Sequence, residues 1–163
     1  MKLLITIRVV AVLCSGLMAG LLFGDWLGPS FARAAMNAPS FIQFQQIVHI
    51  NYLRTLPVLS AAAVVAPLVW LIMLRALPAS AEFKVLLGGT IAIAIGYTIT
   101  FAFNVPVNDQ LETWDVAAPP PNAREIWSRW EKSHVVRTIF WVVGFFLETV
   151  VLAMSASHRP NAV

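Results

Sequence analysis

The sequence predicts an all-α integral membrane protein, a four-helix bundle with an amphipathic extension before helix 2 and a long helix 4. Three observations carry this reading. Hydrophobic residues make up 59% of the chain and charged residues only 12%, whereas a soluble domain carries about 25% charged residues. Mean hydropathy is +0.77. Apolar runs over about 3–23, 56–77, 85–105 and 135–155 each reach the roughly 20 residues that cross a bilayer. A single transmembrane domain, 1–163, accounts for the chain, with no internal repeat, soluble domain or low-complexity segment.

The first run, Leu3 to Phe23, is interrupted by Arg8. Its start, Met1-Lys2-Leu3-Leu4, resembles a signal peptide, but no small-residue cleavage site follows and the run exceeds a signal h-region. It reads as a retained helix ended by Asp25, Gly28 and Pro29. Ser40 with Gln43 has capping-box spacing and opens an amphipathic helix over 41–54. The second span, Leu56 to Leu77, contains Pro57 and Pro67, each of which removes a backbone donor. Trp70 and Arg75 mark its far interface. A short turn, Pro78 to Lys84, leads into the third span, whose Gly88, Gly89 and Gly96 allow a neighbouring helix to approach. That span ends in Asn104-Val105-Pro106-Val107-Asn108, and a loop with Pro119, Pro120 and Pro121 follows. Helix resumes near Ala123, so that Arg124 to Ser133 extends the last span out of the membrane.

The net charge of +3 arises from 11 basic and 8 acidic residues spread along the chain. No basic run points to a nucleic-acid partner; the partner implied is the lipid bilayer. An even number of spans puts both termini on one side, with Lys2, Arg75, Lys84 and Arg159. Arg33, Arg54, Arg124, Arg129, Lys132 and most acids lie on the other. The short tails and connection on the first side place both termini in the cytoplasm, with a bacterial inner membrane as the expected location. Cys14 is the only cysteine, which excludes an intramolecular disulfide and a cysteine-ligated zinc or iron–sulfur centre within one chain.

The sharpest pattern is on the last helix. Trp127, Trp130, His134, Arg137, Trp141, Gly144 and Glu148 alternate at spacings of three and four, which places them on one face. A polar stripe on an apolar membrane helix faces the bundle interior, since each charge in hydrocarbon costs at least ~2.5 kcal/mol. The stripe reads either as packing and salt-bridge glue or as a cavity wall. Gln45, Gln46 and His49 share a face of the amphipathic segment, and Asn104 and Asn108 end the third span at the same depth as His49 and His134. One neutral imidazole at this level suits a general base near pH 7. Arg137 and the amides of Asn104 and Asn108 suit an anion stabiliser in a low-dielectric site. His49 and His134 could instead ligate haem or a metal ion, although no His-x-x-x-His or Glu-x-x-His spacing is present. At the opposite end of the bundle, Arg8 and Glu148 are expected at one depth as an ion pair.

The element Asn104-Val105-Pro106-Val107-Asn108, with Leu111, Trp114, Trp127, Trp130, His134 and Arg137 after it, resembles the anthrone oxygenase-like family of small four-helix membrane proteins. Ser133-His134 stands where the family pattern has Asn before the Arg. The resemblance implies a four-helix membrane bundle that oxidises an anthrone-like or other phenolic or quinone-type hydrophobic aromatic with dioxygen, without a conventional cofactor. His49, His134, Arg137 and Asn104 are then the candidate catalytic residues, with no metal. Gln45, Gln46, Asn108, Trp114, Trp127 and Trp130 are the candidate substrate-binding residues, and Trp26 and Phe103 are further candidates to wall the pocket. The alternatives are a haem- or metal-binding redox protein and a non-catalytic accessory subunit of a membrane complex; a homo-oligomer is a further possible partner state.

Overall fold

The computed structural model describes residues 2–157, so Arg159 lies outside the described residues. The chain forms α1 (Lys2–Leu27), α2 (Pro29–Ala35), α3 (Ala38–Leu53), α4 (Leu56–Leu74), α5 (Ala81–Ile99), a π-helical turn (Thr100–Asn104), α6 (Val105–Glu112) and α7 (Ala123–Ser157). Segments Lys2–Ala35, Leu56–Leu74, Ala81–Glu112 and Ala123–Ser155 are long and apolar enough to cross a membrane. They pack as a ring in the order α1, α4, α5, α7, closed by α7 against α1. The protein is an all-helical membrane bundle.

Helix lengths set the levels within it. The 19 residues of α4 rise ~28 Å, close to the ~30 Å of bilayer hydrocarbon. The 35 residues of α7 rise ~52 Å, so its first turns stand clear of the hydrocarbon. There α2, α3 and α6 gather around it, and Arg124 donates to the carbonyls of Arg33 and Met36 while lying over Phe41.

Several boundaries differ from the sequence expectation, each for a physical reason. Asp25 does not end α1, which runs to Leu27; Asp25 is buried inside the fold and paired. The cap of α3 is Asn37, whose side chain accepts from the Ser40 amide, so the Ser40/Gln43 box is not used. Pro57 sits in the first turn of α4, where a missing amide proton costs nothing, and only Pro67 lies within the helix. The third span does not stop at Asn104. Pro106 cannot donate to the carbonyl of Ala102, and the chain continues through a π-helical turn in which the Val105 amide donates to Thr100 O.

Small residues set the closest approaches. A Cβ on Gly96 would lie 2.9 Å from Cδ1 of Trp141, and one on Gly89 would lie 3.2 Å from the carbonyl oxygen of Gly144. Gly88 has only ordinary contact with Leu147. At the termini end, Arg8 and Glu148 form no ion pair. Arg8 instead lies 5.5 Å over the Trp70 ring, and Glu148 Oε2 accepts from Ser15 Oγ at 2.5 Å. Ser15 is two turns further along α1 than Arg8, so the depth argument chose the wrong residue of the right helix.

Gly144→Ala is expected to lower the melting point of the detergent-solubilised protein, with a loss of about 1–3 kcal/mol from overpacking against Ile93 and Gly89. Gly24→Ala, which meets nothing within 4 Å, should be neutral or stabilising. Equal melts for the two variants would contradict the tight α5–α7 seam.

Candidate functional site

The site begins with a break in the chain. In one continuous helix, Asp25 and Arg33 would be ~12 Å apart along the axis. Gly28 and Pro29 interrupt it, and across this break Arg33 Nη1 and Nη2 each donate to Asp25 at 2.8 Å. Both side chains are buried. Such a fork-to-fork pair is the geometry that makes a buried carboxylate and guanidinium mutually tolerable. Glu131 adds a second, partly exposed carboxylate 3.6 Å from Arg33 Nε.

The interior stripe of α7 packs against this pair. Trp127 and Trp130 stack at 4.5 Å, and Trp130 stacks on His134 at 4.7 Å. Arg33 lies over both indoles, at 5.8 and 5.6 Å, and Arg137 lies over Trp130 at 5.2 Å. His134 is engaged at both nitrogens. Nδ1 accepts from Arg137 Nε at 3.2 Å and lies 3.0 Å from Arg137 Nη2. Its Nε2 is 3.1 Å from the Leu22 carbonyl and 3.4 Å from Asp25 Oδ2. Facing donors on one side and acceptors on the other, the ring carries its proton on Nε2. Arg137 Nη1 also donates to Thr100 Oγ1 at 3.2 Å, so the π-helical turn helps to hold the guanidinium. Arg137 is buried and has no ion pair among the described residues.

These groups form the polar end of a cavity of about 390 Å³, within the range of small-molecule sites. His49, His134 and Arg137 line it, as do Gln45, Asn108 and Trp130. The remaining sequence candidates lie elsewhere. Asn104 is fully buried and donates to the Trp130 carbonyl at 3.1 Å. Gln46 bridges the carbonyls of Leu111 and Trp114, at 2.9 Å each. Trp114 and Trp127 belong to an apolar cluster with Phe41, Ile42, Val107 and Leu111. Trp26 and Phe103 are exposed and do not line the cavity. The two histidines thus share one cavity, while Asn104, Gln46, Trp114 and Trp127 support its walls.

Sequence reasoning missed Asp25, Tyr52 and Thr100, which also line the cavity. An acid between an apolar run and Gly-Pro looked like a helix stop; its burial becomes visible only with Arg33 brought to it across the break at Gly28. Burial raises the pKa of the Tyr52 phenol above its ordinary value, and the nearby Asp25 carboxylate adds to this while Arg33 opposes it. The phenol therefore stays a hydrogen-bond donor at neutral pH. Glu112, just outside the cavity lining, brings Oε1 to 3.1 Å from His49 Nε2. Nδ1 of His49 has no hydrogen-bond partner among the described residues. Among the described residues no group of three His, Cys, Asp or Glu side chains has the geometry of a metal site. A metal or haem ligated by His134 would have to displace either Arg137 or the Leu22 and Asp25 contacts.

Asp25→Leu and Arg33→Leu are each expected to cost about 3–5 kcal/mol, because either strands a buried charge. The double variant should cost less than either single one in thermal melts. Additive losses would mean that the pair is not the unit described.

A family model described as anthrone oxygenase matches residues 44–147, from the middle of α3 into α7. No curated protein and no solved structure matches the chain.

Proposed function

Because the chain belongs to the anthrone oxygenase family, we propose that its cavity binds a planar phenolic, anthrone-like substrate and oxidises its ring methylene with dioxygen. The single observation that carries this reading is Arg137: a buried guanidinium on an otherwise largely apolar cavity, with no ion pair among the described residues. A cation so placed stabilises negative charge that develops on a bound molecule. An enolate or phenolate oxygen is such a charge, and Tyr52 is a second donor on the same cavity.

His49 is the base in this mechanism. Glu112 beside Nε2 orients the ring and stabilises the imidazolium, while Nδ1 is free to take the proton. His134 holds Arg137 instead, since its lone pair at Nδ1 is already used. The chemistry balances without a further reductant. A proton passes from the ring methylene to His49, and the carbanion gives one electron to dioxygen. The resulting radicals join in a carbon–oxygen bond, and protonation yields a hydroperoxide. Loss of water removes the second methylene hydrogen and leaves the ketone. The carbon loses four electrons; dioxygen gains four, ending as the ketone oxygen and one water. The apolar lining lowers the local dielectric, which strengthens the Arg137–anion interaction.

The test is oxygen uptake by purified protein in nanodiscs supplied with an anthrone. His49→Ala should lower the rate by about 10²–10⁴-fold, the usual worth of a general base, with an unchanged melting point. Arg137→Met should abolish uptake, and Arg137→Lys should retain part of it. Wild-type rates in His49→Ala would remove this residue as the base.

A further inference from the structure

We propose that the cavity opens sideways to the bilayer, and that its ligand is loaded from the lipid phase between the first turns of α4 and the π-helical turn. The choice of an aromatic phenol as occupant rests on the function proposed above; the lateral opening rests on geometry alone.

The loop-side end of the cavity is closed. On α3, on α7 and past the end of α6, members of the buried cluster lie further towards the loops than the cavity lining, and Val107 and Trp130 stand at the level where cluster and lining meet. On α3 it is Phe41 and Ile42 against Gln45 and His49. From α6 outwards it is Leu111 and Trp114 against Val105 and Asn108. On α7 it is Ala123 and Trp127 against His134 and Arg137. Gln46, with bonds to two carbonyls of the α6 end, ties this plug together. The opposite end is closed by Met18, Ile93, Ala63 and Trp141, which pack as one cluster.

The side is different. The lining residues Leu53 and Phe101 are 53% and 55% exposed, whereas Asp25, Gln45, His134 and Arg137 are all buried. Leu56, Pro57 and Ser60 of α4 complete one rim, and Tyr97 and Val105 the other. Among the described residues the side chains that line this rim are uncharged, and the exposed Arg54 flanks them at the α3–α4 junction, turned to Asn51 Oδ1 at 3.5 Å; the charged groups of the lining are the buried ones. Helices α4 and α5 are neighbours in the ring, so a gap between them faces outward rather than into the bundle.

Depth decides what fills the gap. With ~28 Å of rise against ~30 Å of hydrocarbon, α4 needs nearly its whole length to span the acyl layer. Its first turns are therefore at the edge of the acyl layer, not in water. Val58 and Phe103, beside the rim, are exposed at 75% and 60%, which suits lipid contact and not water. A hydrophobic molecule with an ionisable hydroxyl concentrates at this depth, ring in the acyl layer and oxygen towards the headgroups. Once inside, it turns its oxygen to Arg137 and Tyr52 at the closed end and leaves its ring against the apolar lining beside His49.

Single cysteines test this in the Cys14→Ser protein in nanodiscs, which leave both membrane faces open. Ser60→Cys and Val105→Cys report on the rim, Ala118→Cys on the aqueous loop and Val143→Cys on a lipid-facing surface. The readout is the labelling rate with N-pyrenylmaleimide divided by that with a cationic methanethiosulfonate. A lateral mouth gives rim ratios at least about tenfold above that of Ala118→Cys, close to that of Val143→Cys, because a charged reagent is excluded from hydrocarbon. Rim ratios equal to that of Ala118→Cys would overturn it, since the mouth would then be aqueous. Adding 1,8-dihydroxyanthraquinone should slow labelling at both rim positions and not at Val143→Cys. Lipid-like ratios without that protection would keep the lateral mouth and reject the aromatic occupant.

Discussion

Asp25 and Arg33 neutralise one another at a depth where neither charge could stand alone, and the polar end of the bundle is arranged around that pair. The pair fixes α2 against α1 and puts the Arg33 guanidinium over Trp127 and Trp130. The second oxygen of Asp25 faces His134, which in turn holds Arg137. The network therefore runs from a structural ion pair at one end to a cation on the cavity at the other, which has no ion pair among the described residues. Each member limits the freedom of the next, so the guanidinium that faces the cavity is held in place.

The π-helical turn gives the opposite wall the same rigidity. Proline at 106 forces the local change of winding, and its consequences are two contacts to α7: Thr100 to Arg137 and Asn104 to the Trp130 carbonyl. A buried amide on a main-chain carbonyl is a fastener and not a reagent. This gives the Asn-Val-Pro-hydrophobic-Asn element a physical meaning, since its first Asn braces the α7 backbone at Trp130 and its second reaches the cavity.

Most of the bundle was legible from residue order because hydrophobic length and helical spacing are local properties. The α7 stripe followed from the three-and-four alternation, and Trp127, Trp130, His134, Arg137, Trp141 and Glu148 are indeed buried. The placement of His49 with His134 followed from counting depth along two helices. What failed depended on contacts between distant segments. Gln46, Trp114 and Trp127 belong to the plug, one turn or more beyond the cavity, and a count by depth alone does not resolve one turn. Asp25 and Arg33 were separated by an apparent loop, and no periodicity announces a pair that meets across a break in the helix. The family match at 44–147 also begins after both residues, so this pair is visible only in the assembled fold.

The stacked indoles of Trp127 and Trp130 have an optical consequence. Their ring centroids are 4.5 Å apart with planes inclined by 15°, close enough for the two aromatic transitions to mix. Held rigidly, such a pair imposes a handed signature on the near-ultraviolet circular dichroism, and that signature vanishes when side-chain packing loosens even if the helices persist. Because Arg33, His134 and Arg137 all lie against these rings, the protein carries a native chromophore that reads the order of its own polar end.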